Sequence, residues 1–332
     1  MKNVKLLQYD LRKIKHLICS FIKYCLLFIV LNFSVFLGNA QNILPTPRVF
    51  NLRKGSFIFP KKVRVYSKNK DSYFLNYLKE WVLRSTKNSM SFANRKNADV
   101  VFLFDKAMAK EAYTMDVTPL RIQIKASGDA GFFYAIQSLY QLRMTSNPEQ
   151  IPSCHIADSP RYKWRSFMLD VARQFQTVAT VKKYLDMMAM LKMNVFHWHL
   201  TDDQGWRLEI KKYPELTRKG AFLSKGPGQQ GFYTHEDIKQ IVRYSGMRNI
   251  TIVPEIGMPG HAVAAILAYP ELSCFGQSSN LSGQNFYENV LCAGKPYTIQ
   301  FLKNVLDEVC ELFPSKYIHV GGDEVPKESW DK

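Results

Sequence analysis

The sequence predicts an α/β protein in which a small N-terminal α+β domain precedes the first half of a (β/α)8 barrel. Two observations lead to this prediction. In the second half of the chain, four apolar runs of strand length alternate with segments of helical periodicity, which is typical of parallel βαβ units. In the first half, strand and helix patterns mix without that regular alternation.

Composition indicates a globular protein. The 332 residues are 46% hydrophobic and 13% aromatic, with no low-complexity run, so the chain can bury a sizeable core. The formal net charge of +17 allows nucleic acid, an anionic polymer or a membrane surface as partner. No basic motif interleaved with aromatic residues occurs, and we therefore expect no nucleic-acid partner.

Residues 1–40 are predicted to be a signal peptide that is cleaved after Ala40. Basic residues precede the apolar run 25–31, and the segment closes on small residues. The apolar run is shorter than the roughly 20 residues that span a bilayer, and Asn32 interrupts it, so a membrane anchor is disfavoured. The leader holds six basic residues and one acidic residue, so its removal lowers the net charge from +17 to +12. The mature protein is expected to be exported, to the periplasm or outside the cell.

An exported protein folds in an oxidising compartment, where cysteines form disulfides. Cys274 and Cys292 flank a loop rich in Ser, Gly and Asn, which makes them the natural pair. Cys154 and Cys310 also follow the leader. No close cysteine pair has the spacing of a zinc site.

Residues 41–160 are predicted to form the α+β domain, with a scaffolding role because no catalytic cluster occurs in them. Residues 120–125 alternate strictly between apolar and polar types, as a half-buried strand does. Residues 129–144 have an apolar face at helical spacing. The other predicted elements are a β-rich stretch at 56–66, a helix at 71–83 and a strand at 99–104.

Prolines and turn residues predict a linker over 147–160 and a domain boundary near Pro160. Residues 161–332 then hold four predicted βα repeats of the barrel. Predicted strands at 166–171, 194–200, 250–254 and near Tyr317 alternate with predicted helices at 178–191, 234–244 and 298–312. Thr234 and Asp237 form a variant of the capping box at the start of the second helix.

Gly321 and Gly322 interrupt the fourth predicted strand directly before two adjacent carboxylates, Asp323 and Glu324. A regular strand would point these two side chains to opposite faces. Glycine adopts backbone angles that other residues resist, and so lets both carboxylates face one ligand. Paired carboxylates at the end of a parallel strand suit acid and base chemistry at one centre, and a solvated turn is the alternative.

The other predicted strands also have polar residues at their ends, which would meet at one mouth of a barrel. These are Arg165, Asp170 and Arg173 around the first strand, His197, His199, Asp202 and Asp203 at the second, and Glu255 and His261 after the third. Asp170 and Arg173 also suit a structural ion pair, one of the two strand histidines suits the core, and Glu255 suits a turn cap. Trp206 and Tyr233 suit either the core or a platform for a sugar ring.

A zinc centre is a rival interpretation of the same residues. His197 and His199, with Asp202, His261 and His319 elsewhere, are of the ligand types that Zn²⁺ binds in a metal-dependent hydrolase. We expect no metal and no cofactor, because the His-x-His pair lies on the second strand and the basic residue of a bridged metal site is not evident.

Five motifs, in order, resemble those of the family 20 glycoside hydrolases, which are exo-acting β-N-acetylhexosaminidases. They are PRYKWR at 160–165, LDVAR at 169–173, HWHLTDDQGWR at 197–207, VPEIGMPGH at 253–261 and HVGGDE at 319–324. Residues 43–160 are similar to the N-terminal non-catalytic domain of that family. The resemblance covers essentially the whole chain after the leader.

The resemblance implies hydrolysis of terminal non-reducing β-linked N-acetyl-D-hexosamine residues by a substrate-assisted retaining mechanism. Glu324 is then the general acid and base, and Asp323 holds the 2-acetamido group whose carbonyl oxygen attacks the anomeric carbon. His261 and Asp202 form a relay to the acid, and Arg165 binds hydroxyls of the terminal sugar. The implied partners are N-acetylhexosamine-containing glycans or oligosaccharides, and the family needs no metal.

The chain departs from the family pattern in several places. Gly257 replaces an acidic residue, Ser166 replaces a glycine, and Gln174 stands where histidine is common. The sequence reaches Lys332 just past the fourth predicted strand, whereas such barrels have about 250 residues. We therefore expect a truncated form without the remaining walls of the sugar pocket, and a catalytically inactive fragment or sugar-binding remnant is the alternative.

Overall fold

The structure is a computed structural model that describes residues 43–86, 89–144, 150–223, 230–274, 290–325 and 327–330. The predicted leader, residues 1–40, lies outside this part of the chain. The described residues belong to one compact unit that begins at Ile43.

The N-terminal part is a seven-stranded mixed sheet on which two helices pack. The strands are β1 (Val49–Ile58), β2 (Lys62–Tyr66), β3 (Ser89–Phe92), β4 (Val100–Phe104), β5 (Tyr113–Val117), β6 (Ile122–Ala126) and β7 (Gln150–Asp158). Their order across the sheet is β1-β7-β5-β6-β4-β2-β3. The helices are α1 (Tyr73–Thr86) and α2 (Asp129–Met144), and α2 has the predicted bounds.

The alternation predicted for β6 is confirmed. Ile122, Ile124 and Ala126 are fully buried, whereas Lys125 on the opposite face is exposed. Both helices pack on the buried face through aromatic rings. The ring of Phe102 on β4 lies 4.9 Å from Phe74 of α1 and 5.4 Å from Phe132 of α2, measured between centroids.

The prediction of a linker over 147–160 is wrong for the residues that the structure describes. Residues 150–158 form β7, which pairs antiparallel with both β1 and β5. Pro152 lies beyond the residues that pair with β5 and opposite Ser56, beside the irregular part of β1. Its missing N–H therefore removes little from the hydrogen-bond ladder, which is why proline is tolerated in this strand.

The second part of the chain is the predicted first half of a (β/α)8 barrel. It comprises β8 (Ser166–Asp170), α3 (Val178–Met190), β9 (Val195–Asp202), β10 (Gly205–Trp206), α4 (Glu215–Arg218), α5 (His235–Gly246), β11 (Thr251–Ile256), α6 (Val263–Ala268) and α7 (Pro296–Leu312). Strands β8, β9 and β11 are parallel neighbours. At the fourth predicted strand, near Tyr317, the described residues form a single parallel bridge at His319 and no full strand, so that prediction is wrong in extent. The His319 N–H donates to the Pro254 carbonyl at 2.9 Å, and the Ile256 N–H donates to the His319 carbonyl at 3.0 Å.

Local signals that the sequence predicted are present in this half. Thr234 and Asp237 form the capping box at the start of α5, each accepting a hydrogen bond from the other's backbone N–H. Cys274 and Cys292 form the predicted disulfide. None of the helices in the described ranges combines the length and apolar character that crossing a bilayer requires.

Candidate active site

The parallel register of the barrel places the carboxyl ends of the strands side by side. Asp170 of β8 is level with His199 of β9, which is level with Glu255 of β11. The charged side chains that gather here and in the loops beyond are called the strand-end cluster. Its members are Asp170, Arg173, His197, His199, Asp202, Asp203, Glu255, His261, His319, Asp323 and Glu324.

The two predicted catalytic carboxylates follow a left-handed stretch of backbone, with φ of +71° at Gly321 and +101° at Gly322. A Cβ at Gly321 would lie 3.2 Å from the Cα of Gly257, so glycine permits this close approach of two backbones. Glu324 and His261 carry side chains at φ of +47° and +51°. Such conformations cost free energy and concentrate at functional sites.

His261 connects the buried acids to the exposed ones. Its Nδ1 lies 3.3 Å from Asp202 Oδ1 and 3.4 Å from Asp203 Oδ2. Its Nε2 lies 3.5 Å from Glu324 Oε2 and 3.8 Å from Asp323 Oδ2. The side chain of Asp202 is 1% exposed and that of Glu324 is 70% exposed. The structure thus brings three of the other four predicted site residues to the imidazole of His261.

The two adjacent aspartates differ in charge environment. Burial raises the pKa of Asp202, but the hydrogen bonds from His199 and from the Asp203 N–H, with the nearby Arg173 charge, hold that pKa below its ordinary value. Burial dominates at Asp203 and raises its pKa, although the Val263 N–H donates to its carboxylate. Of the two aspartates next to His261, Asp202 therefore stays ionised to lower pH.

His199 lies between two carboxylates. Its Nε2 is 2.7 Å from Asp202 Oδ2, and its Nδ1 is 2.7 Å from Glu255 Oε2. Burial lowers the pKa of His199, but the contacts with Asp202 and Glu255 outweigh burial and raise that pKa to about 9. Burial works against the charge on Glu255 too, yet the contacts with His197 and His199 hold the pKa of Glu255 well below its ordinary value.

Arg173 reaches the cluster from the loop after β8. Its guanidinium forms ion pairs of 2.8 Å with Asp170 and 2.9 Å with Asp202, and its side chain is 45% exposed. The ion pair between Asp170 and Arg173 that the sequence suggested is therefore present. Because the arginine also faces solvent at the barrel mouth, it has a free side for a ligand.

Arg165 lies elsewhere and does not join the cluster. It precedes β8, at the opposite end from Asp170, which is separated from it by roughly 16 Å of strand. Its guanidinium contacts both carboxylate oxygens of Glu111 at 3.2 Å and donates to Tyr134 Oη at 3.1 Å. Glu111 and Tyr134 belong to the N-terminal part, so Arg165 links the two parts of the chain. This position does not fit the predicted contact with sugar hydroxyls.

Trp206 and Tyr233, which the sequence assigned to either the core or a sugar platform, lie in the core. Trp206 is 4% exposed and Tyr233 is fully buried. The indole N–H of Trp206 donates to the Leu208 carbonyl at 2.7 Å, and the Tyr233 ring packs on Trp198 at 4.7 Å between centroids. Neither ring offers a face to a sugar.

Two groups within the cluster have the residue types of a metal site. His197, Glu255 and His319 form one group, and the other comprises Asp202, Asp203 and His261, with ligand-type atoms within 4.8 Å of one another in each. We do not identify them as metal ligands, because these atoms are engaged with one another. His197 Nε2, for example, is hydrogen-bonded to Glu255 Oε2 at 2.6 Å.

Sequence reasoning gave no definite role to Arg173, His199 or Glu255, although all three adjoin strand ends. The motif spacing carries a signal that would have favoured Arg173 over Arg165. Arg173 follows the carboxyl end of its strand, where barrels keep their ligands, and Arg165 precedes the amino end. No comparable signal distinguishes His199 from His197, since residues two apart on a strand point to the same face of the sheet.

Two models of glycosyl hydrolase family 20 match this chain. The model of the catalytic domain matches residues 162–332, and the model of domain 2 matches residues 40–159. Among curated proteins, a β-hexosaminidase of Porphyromonas gingivalis is 45% identical over 236 residues, which are 67% of this chain and 30% of that protein.

Solved structures show the same likeness. A β-N-acetylhexosaminidase of Bacteroides fragilis is 48% identical with a TM-score of 0.79, over 87% of this chain and 58% of that one. A Vibrio harveyi exo β-N-acetylglucosaminidase, solved in complex with N-acetylglucosamine, is 34% identical with a TM-score of 0.79, over 89% of this chain and 48% of that one. The chain thus spans between 30 and 58% of the length of these relatives.

Proposed function

The chain belongs to glycosyl hydrolase family 20, and from that premise we propose that it hydrolyses terminal non-reducing β-linked N-acetylhexosamine residues of glycans or oligosaccharides. The observation that carries the proposal is the line of side chains from Asp202 through His261 to Glu324. In this order the buried carboxylate orients the imidazole, and the imidazole orients the exposed carboxylate. A carboxyl group held in position is what general acid catalysis needs.

In the proposed mechanism the substrate supplies the nucleophile. The acetamido carbonyl oxygen forms a bond to the anomeric carbon while the glycosidic C–O bond breaks and Glu324 gives its proton to the leaving oxygen. Asp323 accepts a hydrogen bond from the acetamido N–H and stabilises the positive charge that develops there. Glu324 then takes a proton from water as the water oxygen attacks the anomeric carbon and the bond to the acetamido oxygen breaks, and the two successive inversions give net retention of configuration.

The adjacency of Asp323 and Glu324 supports this mechanism over one with a protein nucleophile. Both carboxylates approach the same nitrogen of His261, at 3.8 and 3.5 Å. A nucleophilic carboxylate would instead face the acid from across the scissile bond, with the two groups about 5 Å apart. We assign the recognition of sugar hydroxyls to Arg173, because it is the partly exposed cation at the mouth of the cluster.

Turnover of a chromogenic N-acetyl-β-D-glucosaminide by the purified chain tests the proposal. Glu324→Gln removes the proton donor and should lower kcat by about 100-fold or more. Glu311→Gln, at an exposed glutamate of α7, is the matched control and should leave kcat unchanged. Equal turnover by the wild type and Glu324→Gln would refute the assignment of Glu324.

One observation favours a second candidate, a sugar-binding protein without turnover. The side chains of Asp323 and Glu324 are 71% and 70% exposed, so water has free access to the pair. Exclusion of water strengthens electrostatic effects on a reacting bond. A site that water enters therefore loses more catalysis than it loses binding of the substrate ground state. Calorimetry with a thiazoline that mimics the cyclic intermediate, alongside the turnover assay, separates the two candidates.

We also propose export of the protein, with cleavage after Ala40. The leader pattern of the sequence supports this proposal, as does the disulfide between Cys274 and Cys292, which persists in an oxidising compartment.

A further inference from the structure

His199 is enclosed by charged groups from the elements that surround it. Glu255 of β11 contacts its Nδ1 at 2.7 Å, and Asp202 contacts its Nε2 at 2.7 Å. Arg173, from the loop after β8, places Nη1 at 3.3 Å from the same Nε2, and Asp170 is level with His199 on β8. The imidazole side chain is 7% exposed. It is therefore held in a dry and highly charged position.

Each ring nitrogen of His199 lies 2.7 Å from a carboxylate oxygen. Nε2 donates a hydrogen bond to Asp202, because a carboxylate only accepts, whereas the Nδ1 contact with Glu255 is an ion-pair contact without hydrogen-bond geometry. The ring is then an imidazolium between two carboxylates, and its raised pKa of about 9 agrees with that assignment. The contact with Arg173 is between two cations that share Asp202.

The imidazolium fixes the orientation of the Asp202 carboxylate. His199 and Arg173 both contact Oδ2, at 2.7 and 2.9 Å. The other oxygen, Oδ1, accepts the Asp203 N–H at 2.7 Å and faces His261 Nδ1 at 3.3 Å. With Oδ2 occupied by two cations, Oδ1 is the oxygen left for His261.

We propose that His199, held in turn by Glu255, is a positioning residue for the acid Glu324. By fixing Asp202, it sets the oxygen that faces His261 Nδ1 and so directs His261 Nε2 toward Glu324. The proposal rests on the proposed function, because it takes Glu324 to be the acid. It extends the three-residue line by two residues, His199 and then Glu255 of β11.

The competing explanation is that His199 merely satisfies buried carboxylates and stabilises the fold. The two explanations differ in what His261 experiences. A positioning role requires that a change at His199 alter the surroundings of the His261 ring through Asp202. A structural role requires only that the free energy of unfolding fall.

Histidine ¹⁵N NMR on the full chain tests this coupling without any need for turnover. In His199→Gln, Asp202 loses the partner that holds its Oδ2, so the ¹⁵N chemical shifts of the His261 ring should differ from those of the wild type at the same pH. His235→Gln is the matched control, because His235 pairs with Glu308 at 3.3 Å, outside the strand-end cluster. Identical His261 ¹⁵N chemical shifts in the wild type and His199→Gln overturn the proposal.

A second variant covers the case in which His199→Gln does not fold. Glu255→Gln removes one carboxylate from His199, so the His199 ring should lose its proton below the wild-type value of about 9. A His199 ring that is neutral at pH 7 in the wild type would also overturn the proposal, since the positioning role takes the ring to be the cation that holds Asp202.

The pH profile of kcat/KM adds a catalytic readout where the wild type turns over substrate. His199→Gln should lower kcat by roughly 10- to 100-fold and move a limb of the profile, whereas His235→Gln should do neither. A uniform loss at every pH points to a structural role and counts against the proposal. If the wild type shows no turnover, the proposed function of this chain fails, and the NMR titrations still decide the positioning role.

Discussion

At the scale of single residues, the charge of His199 couples the stability of the protein to pH. Its pKa in the folded protein, about 9, lies above the ordinary value of 6.5. The stabilisation is therefore complete below about pH 6.5 and is lost as the pH rises through 9. We expect the difference in unfolding free energy between the wild type and His199→Gln to shrink by on the order of 2 kcal/mol over this range.

Urea unfolding of both proteins at pH 6, 8 and 10 measures this difference. The stability contributions of the Asp202 and Glu255 carboxylates depend on pH in the opposite direction. Their lowered pKa values give stability that is lost on acidification. A difference that stays constant from pH 6 to pH 10 would show that His199 is not an imidazolium in the folded protein.

Arg173 and Arg165 provide a contrast between two residues of the same type. Arg173→Ala should raise KM for the chromogenic substrate by roughly 10- to 100-fold, since a hydrogen bond to a charged group contributes about 1.5 to 3 kcal/mol. Arg165→Ala should leave KM unchanged, because its guanidinium faces Glu111 and Tyr134. Steady-state kinetics of the two variants under the same conditions is the measurement, and a larger rise in KM for Arg165→Ala would reverse the assignment.

At the scale of the elements, two helical glycines differ in the space around them. A Cβ at Gly131 of α2 would lie 2.4 Å from the Ala112 carbonyl oxygen and 2.7 Å from Ala126 Cβ. A Cβ at Gly246, the last residue of α5, would meet nothing within 4 Å. The first glycine is thus required by packing of α2 on the sheet, and the second is not.

Alanine substitutions test this difference. Gly131→Ala should destabilise the protein by about 2 kcal/mol or more, because the backbone of a neighbouring segment must move. Gly246→Ala should be neutral or stabilising by up to about 1 kcal/mol, because alanine favours the helix. Thermal unfolding followed by circular dichroism compares the two, and equal effects would mean that the contact with Ala112 is relieved at little cost.

At the scale of the whole molecule, buried charges join the two parts of the chain. Arg165 pairs with Glu111, and Lys192 pairs with Asp158 at 2.9 Å while donating to Tyr113 Oη at 3.0 Å. Such pairs cost desolvation when they form, but breaking one leaves an uncompensated charge. The N-terminal part is therefore expected to unfold together with the half-barrel.

Removal of Arg165 tests whether its ion pair with Glu111 couples the two parts of the chain. Arg165→Ala should lower the free energy of unfolding by about 3 kcal/mol, because Glu111 loses its partner in a largely buried position. Arg161→Ala, at an exposed arginine nearby, is the control and should change stability by less than about 0.5 kcal/mol. Denaturation followed by fluorescence gives both values. Equal stability of the two variants would contradict a stabilising role for the ion pair between Arg165 and Glu111.

Export is also a property of the whole molecule. Cleavage after Ala40 should give a secreted protein that begins at Gln41 and has a net charge of +12. Intact-mass measurement of protein recovered from the periplasm or the medium checks the cleavage site. A mass that includes residues 1–40 would exclude cleavage there.

Much of this fold was predictable from sequence because its signals are local. Periodicity gave the helix at Asp129–Met144, and alternation gave β6. The strand β7 was missed because Pro152 and the prolines that flank the strand suggest a loop, and because its pairing with β1 depends on residues about 100 positions away. Strand pairing of this range leaves little trace in a local pattern.

For the candidate site, the sequence by itself determined the adjacent pair of Asp323 and Glu324 and the presence of His261 and Asp202, since residue types and their order are local properties. Only the tertiary structure decided that His199 lies between Glu255 and Asp202 and that Arg173 pairs with the same Asp202. Those contacts follow from the parallel register of three strands, which brings distant residues level. Charge and burial at each position depend on that register, so the protonation of His199 could not be predicted from the chain alone.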